Sequence, residues 1–184
     1  MTATSSHERL ALPDVVRLTL TRHDDERGSF METWSPRLSA VAGIPATFVQ
    51  DNESASERGV LRGLHLQRPS AQGKLVRVVV GSVYDVAVDL RPGSPTFGRW
   101  VGLTLTDARP EALWIPAGFA HGFLTLSARS IVSYKVDAPY VPGDERVLAW
   151  DDPTVGIQWP LAPGVAPILS ERDARGEGIA GFRG

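Results

Sequence analysis

The chain is predicted to fold as a single all-β domain, a sandwich or barrel, and three observations carry that prediction. Short apolar runs rich in Val, Leu and Ile recur between turn-forming segments from Val15 onward. Helical periodicity is almost absent, and no G-x-G-x-x-G motif joins a strand to a helix, which excludes a dinucleotide-binding α/β fold. Gly and Pro, 18 and 14 of 184 residues, are spread along the chain, as many turns require. A chain of this length buries about 70% of its unfolded surface as one domain. There is no internal repeat of fixed period and no low-complexity segment.

Taken in order, residues 1–13 read as a loose lead-in to the domain spanning residues 1–184. Val15 to Leu20 (VVRLTL) is a strand, and HDDERG is a turn that opens a second strand, SFMETW. Pro36 to Ala42 is a short peripheral helix closed by Gly43. ATFVQDN is expected to be a strand with a polar end, and SASERG a loop. GVLRGLHLQ, KLVRVVV and VYDVAVDL are three strands broken by RPSAQG and GS. Alternation in the last of these puts Tyr84, Val86, Val88 and Leu90 on one face, with Asp85, Ala87 and Asp89 on the other. RPGSPTFG is a turn-rich connection, RWVGLTLT and ALWIP are strands around the polar turn DARPE, and AGFAHGFLTLS and SIVSYKVD are two more. Ala138 to Pro167, rich in Pro and aromatics, is expected to wrap the outside. ILSERDARG opens a second short helix, with Ser170 as N-cap and Asp173 three residues on.

Composition narrows the function. Hydrophobic residues make up 42% and charged residues 22%, and the net charge of -2 gives no drive toward nucleic acid or an anionic membrane. Zero Cys excludes a disulfide framework and any thiolate metal site, and fits a cytoplasmic location. MTATSSHERLALP lacks an apolar signal core, and no apolar run approaches the ~20 residues of a membrane span.

The chemistry concentrates between Arg58 and Lys74. Arg62 and His65 lie three residues apart, so an unbroken strand points them to opposite faces, and Gly63 between them permits a bulge that re-aims one. Lys74 opens the next strand and can fold back beside His65. An imidazole with Arg and Lys nearby suits a base beside developing negative charge. A basic edge strand with a surface His fits those residues equally well. Of the four His, His65 and His121 sit among apolar neighbours, and each taken singly fits a satisfied core histidine. Gly118 and Gly122 around His121 allow close approach of backbone or ligand.

A metal-dependent cupin needs an H-x-H pair, and here Leu66 and Gln67 follow His65, so no metal is expected. The residue types present suit epimerisation next to a carbonyl. That reaction needs a base for the C–H proton, cationic groups for the enolate, and an acid on the opposite face. An imidazole, with a reference pKa near ~6.5, is a fitting base, and a carboxylate on its far nitrogen fixes the tautomer. Lys74, Arg62 and His121 are candidate enolate holders, and a tyrosine is a suitable acid.

Six segments in this order resemble the dTDP-4-dehydrorhamnose 3,5-epimerase family: DERGSFMETW, QDNESASERGVLRGLHLQ, QGKLVRVVVGSVYDVAVDLRPGSPTFG, IPAGFAHGF, SYK and LSERD. The likeness runs from about Val15 to Asp173. It implies a jelly-roll, cupin-like barrel, a homodimer, and catalysis without metal or organic cofactor. The implied reaction inverts C3 and C5 of dTDP-4-keto-6-deoxyglucose to give dTDP-4-keto-L-rhamnose. By the resemblance His65 is the base, Tyr134 the acid and Asp173 the carboxylate behind the base. Lys74, Arg62 and His121 match groups near the ketone or pyrophosphate. Arg27 and Glu32 match nucleotide contacts that in this family can come from the neighbouring subunit. Gln50, Asp51 and Asn52 match the same site, and Glu145 and Arg172 further binding positions. Two residues depart from the common pattern: Arg172 stands where Lys is frequent, and Leu66 where Tyr is frequent. Relatives that invert a single centre share the fold and most of these motifs, and a non-catalytic sugar-nucleotide-binding barrel is the alternative from another class.

Overall fold

A computed structural model describes residues 6–44 and 47–183. Two antiparallel sheets lie face to face as a jelly-roll sandwich. The first, in the order β1-β2-β10-β7-β12-β5, consists of β1 (Ser6–Arg9), β2 (Val16–Thr19), β5 (Gln50–Glu57), β7 (Lys74–Val80), β10 (Glu111–Ile115) and β12 (Arg129–Val136). The second, in the order β13-β6-β11-β8-β9, consists of β6 (Leu61–Gln67), β8 (Ser82–Asp89), β9 (Trp100–Thr106), β11 (Phe119–Thr125) and β13 (Glu145–Val147). β3 (Arg22–Asp25) and β4 (Gly28–Met31) form a separate hairpin.

Three apolar clusters follow from strand alternation. Between the sheets, Val76, Val78, Leu113, Ile115 and Val132 meet Val83, Ala87, Leu105, Phe119 and Phe123. The outward face of the second sheet offers Leu64, Leu66, Val86, Val88 and Leu90, which the C-terminal segment covers with Leu148, Val155, Ile179 and Phe182. Asp152 ties that segment down by accepting the backbone N–H groups of Thr154, Val155 and Ile179. On the outward face of the first sheet, Leu18, Leu75, Ala112 and Trp114 pack under α1 (Pro36–Ala42), through Leu38 and Ala42. Each such large side chain, fully buried, contributes about 1.5–3 kcal/mol.

The helix of residues 36–42 has the predicted bounds for local reasons. Ser35 caps Leu38 N, Pro36 occupies the first turn, and Gly43 ends it at φ 67. Elsewhere the expectations need correction. The lead-in is not loose throughout, because Ser6–Arg9 pairs along β2 and Leu12 is buried; residues 1–5 lie outside the described ones. HDDERG is no simple turn: Arg22–Asp25 is itself the first arm of the hairpin. The strand expected over ATFVQDN begins at Gln50 and continues through the segment read as a loop, pairing with the full length of β12; Ala46 lies outside the described residues. The outer wrap contributes β13 to the second sheet, and the second helix is a single 3₁₀ turn, Asp173–Arg175, whose Asp173 N–H does bond Ser170 Oγ.

Candidate active site

The polar residues of the interior gather at one end of the sandwich. β6 brings His65 and Arg62 there through a bulge. His121 of β11 stands opposite His65, but Phe123 stands opposite Arg62, so Gly63 and Leu64 together face Gly122. Gly63 has φ +117, and a Cβ on it would lie 2.7 Å from Gly122 Cα and from the His121 carbonyl oxygen. The irregularity turns both Arg62 and His65 toward the first sheet, while Leu64 and Leu66 pack into the outer cluster, Leu66 also bordering the cavity. Arg62 bonds Ser56 Oγ at 2.9 Å and the Ala55 carbonyl at 3.1 Å, both on β5.

His65 lines a cavity of about 280 Å³ together with Gln50, Asn52, Lys74, Tyr134, Tyr140 and Glu145. His65 Nε2 lies 2.6 Å from Asp173 Oδ1, a carboxylate 108 residues away in sequence. Burial pushes Asp173 up, but hydrogen bonds from His65, Ser170 and the Gly63 backbone outweigh it and hold the carboxyl below its ordinary range. The other ring nitrogen of His65 is 3.9 Å from Glu145 Oε1. Glu145 accepts from Tyr140 at 3.2 Å and pairs with Arg172 at the rim. Lys74 Nζ donates to the His65 carbonyl at 3.0 Å, and burial pulls its ammonium down to about 8 against the opposing pull of Asp85. Tyr134 faces the cavity from β12; burial pushes its phenol up and the charge of Arg62 partly offsets this. Behind these groups His121 Nε2 lies 3.0 Å from both oxygens of the fully buried Asp85.

His65, Asp173, Tyr134, Lys74, Gln50, Asn52 and Glu145 are therefore brought together, with Arg62, His121 and Arg172 at the margins. Three predicted residues are not. Asp51 alternates outward on β5 and pairs with Lys135 at 2.7 Å on the far side of the sheet. Arg27 is on the hairpin, 85% exposed and paired with Asp25, and Glu32 pairs with Arg37. Neither lines this cavity. Tyr140, Gln67 and Gln72 do, and sequence reasoning passed over them. The signal for Tyr140 was an aromatic in a Pro-rich segment; the two Gln carried none. Among the described residues, no group of three or more His, Cys, Asp or Glu is placed to hold a metal ion, and no helix is long and apolar enough to cross a membrane.

Chemically, the cavity sets an imidazole backed by a carboxylate on one sheet against a phenol and an ammonium on the other. Two proton-transfer groups on opposite walls, with a cation between, suit carbanion chemistry on a ligand held across the gap. The family described as dTDP-4-dehydrorhamnose 3,5-epimerase matches residues 9–180. A relative of that description from Pseudomonas aeruginosa is 51% identical over 173 residues, covering 94% of each chain. The crystal structure of a dTDP-6-deoxy-D-glucose-3,5-epimerase from Legionella pneumophila, in complex with dTDP-4-keto-L-rhamnose, superposes with a TM-score of 0.92 at 42% identity, covering 96% of this chain and 94% of that one. A 3'-monoepimerase from Streptomyces bikiniensis in complex with dTDP-quinovose superposes with a TM-score of 0.84 at 33% identity, covering 93% and 86%.

Proposed function

The chain belongs to the dTDP-4-dehydrorhamnose 3,5-epimerase family, and from that membership we infer that it is itself a cofactor-independent sugar-nucleotide isomerase. It converts dTDP-4-keto-6-deoxy-D-glucose to dTDP-4-keto-L-rhamnose by removing and returning protons at the two carbons beside the C4 ketone. The observation that carries the residue roles is the opposition of His65, with Asp173 2.6 Å behind it, to Tyr134 across one cavity. His65 takes the proton, and Asp173 orients the ring and stabilises the imidazolium. Lys74 meets the enolate oxygen, whose charge exists only near the transition state. Tyr134 returns a proton to the opposite face, which inverts the centre.

Arg172, Arg62, Glu145, Gln50 and Asn52 bind the nucleotide and sugar around this core. The enzyme acts as a homodimer in which the β3–β4 hairpin, with Arg27 and Glu32, completes the site of the other subunit. An arm whose Arg27 is 85% exposed and whose Phe30 is 72% exposed supports that reading.

Incubation with the keto sugar in deuterated water, followed by NMR, tests the function. Deuterium at both C3 and C5 of an inverted product is expected. Deuterium and inversion at one carbon would make the chain a monoepimerase, the reading that its likeness to the Streptomyces bikiniensis enzyme favours. Binding without exchange would leave a sugar-nucleotide-binding barrel.

A further inference from the structure

The segment just past β12, residues 138–141, brings Tyr140 to the cavity. Apolar burial does not hold it there, because Tyr140 is 47% exposed. The side-chain amides of three glutamines hold its main chain instead. Gln67 donates to the Pro139 carbonyl at 3.2 Å and to the Ser70 carbonyl at 2.9 Å, and it accepts the Val141 N–H at 2.8 Å. Gln50 accepts the Tyr140 N–H at 3.2 Å, and Gln72 donates to the Ala138 carbonyl at 2.7 Å. Both sheets take part, since Gln50 is on β5 of the first and Gln67 on β6 of the second, two residues after His65. Gln67 is itself buried, and a buried amide is tolerated only when its hydrogen bonds are made. Here both of its N–H groups and its oxygen are engaged, all by main chain.

We propose that Gln67 is a positioning residue of this site: it clamps residues 139–141 so that Tyr140 stands as a preformed wall for the bound sugar nucleotide. Gln67 borders the cavity too, but with both N–H groups occupied its effect on a ligand runs through Tyr140. The Tyr140 ring is half exposed beside the cavity, and its hydroxyl donates to Glu145 at 3.2 Å. An aromatic wall fixed before the ligand arrives lowers the ordering cost of binding. Glu145 is also held by Arg172 and by the pairing of β13 with β6, so release of Tyr140 leaves the proton-transfer groups in place. Loss of the clamp therefore weakens binding more than it slows chemistry. The identity of the ligand rests on the epimerase reading; the clamp on Tyr140 does not.

The chain has three tyrosines, Tyr84, Tyr134 and Tyr140, so protein labelled with 3-fluorotyrosine gives three fluorine NMR signals. Tyr84 packs edge-on against Trp159 in the outer cluster and serves as internal control. In the wild type, dTDP should shift the Tyr140 signal and leave Tyr84 in place. In ligand-free Gln67→Met the Tyr140 signal should move toward that of free 3-fluorotyrosine, again with Tyr84 unmoved. On unlabelled protein, the Kd of dTDP and the KM of the keto sugar should rise about five-fold or more, while kcat changes by less than about two-fold. Tyr140→Ala should weaken dTDP at least as much, and adding Gln67→Met to it should cost less than about a further two-fold, because the pair acts as one. Should Gln67→Met fail to fold, Gln72→Leu removes only the Ala138 bond and should displace the Tyr140 signal in the same direction. An unmoved Tyr140 signal in the folded variant overturns the proposal. So does a wild-type Tyr140 signal that ignores bound dTDP, or losses from Gln67→Met and Tyr140→Ala that multiply in the double variant. A Tyr140 signal displaced as expected in a protein that binds no dTDP would sink the functional reading and leave the clamp standing.

Discussion

Asp173→Asn keeps the outline of the group 2.6 Å from His65 and removes its charge, so it separates orientation from packing. The amide can stabilise neither the correct tautomer nor the imidazolium, and deuterium exchange at C3 and C5 should slow by roughly 10³-fold or more. Thermal unfolding should move little; exchange at the wild-type rate would dissolve the dyad. Tyr134→Phe asks a different question, because His65 can still remove a proton and return a solvent-derived one to the same face. That variant should incorporate deuterium with retained configuration and form almost no inverted product. Normal inversion would hand the acid role to water or another residue. Residue chemistry asked only for some carboxylate behind His65 and some tyrosine as acid; Asp173 and Tyr134 were singled out by the resemblance of LSERD and SYK to the family's motifs. Asp85 was placed on the right face of its strand by simple alternation. Its partnership with His121, 36 residues away, left no mark, since a contact between adjacent strands has no sequence period of its own.

The bulge in β6 is the element on which the site turns. Without it Arg62 and His65 would project from opposite faces of the strand, and one of the two would leave the cavity. Gly63→Ala is therefore expected to be costly twice over. The Cβ meets the β11 backbone at 2.7 Å in a conformation with φ +117, and the loss should be about 2–4 kcal/mol by urea unfolding. Any folded fraction should lose more activity than stability, because relief of the clash shifts His65. A variant of wild-type stability and rate would show that the strand tolerates a regular ladder. Gly63 was legible as a place for a bulge, and the helix of residues 36–42 was legible through Ser35, Pro36 and Gly43, because both signals are local. The strand of residues 50–57 was not. Its inward positions are Gln50, Asn52, Ser54 and Ser56, of which Gln50 and Asn52 line the cavity and Ser56 holds Arg62, so the apolar alternation that announces a strand is missing. The edge strand of residues 6–9 was hidden for another reason: all four of its residues are exposed.

At the scale of the whole molecule, neither sheet owns the site. His65, Asp85 and His121 come from one sheet, Lys74, Tyr134 and Asn52 from the other, and the C-terminal segment brings Asp173 to His65. The hairpin of residues 22–31 stands apart from both, and the proposal that it serves a second copy makes a claim no single chain can satisfy. Mixing two damaged proteins tests it. Arg27→Ala has an intact cavity and a defective arm; His65→Ala has an intact arm and a dead cavity. If arms act across the dimer, a hybrid pairs the sound cavity of one chain with the sound arm of the other, and its second site carries both defects. Random exchange of subunits makes half the dimers hybrid, each with one good site of two, so about a quarter of wild-type activity should return at low substrate. Arg27→Ala alone should mainly raise KM, which is why the assay is run below saturation. If each arm serves its own cavity, or the chain stays monomeric, mixing yields only the average of the two parents. Recovery well above that average, appearing at the rate of subunit exchange, is the outcome the exposed hairpin predicts.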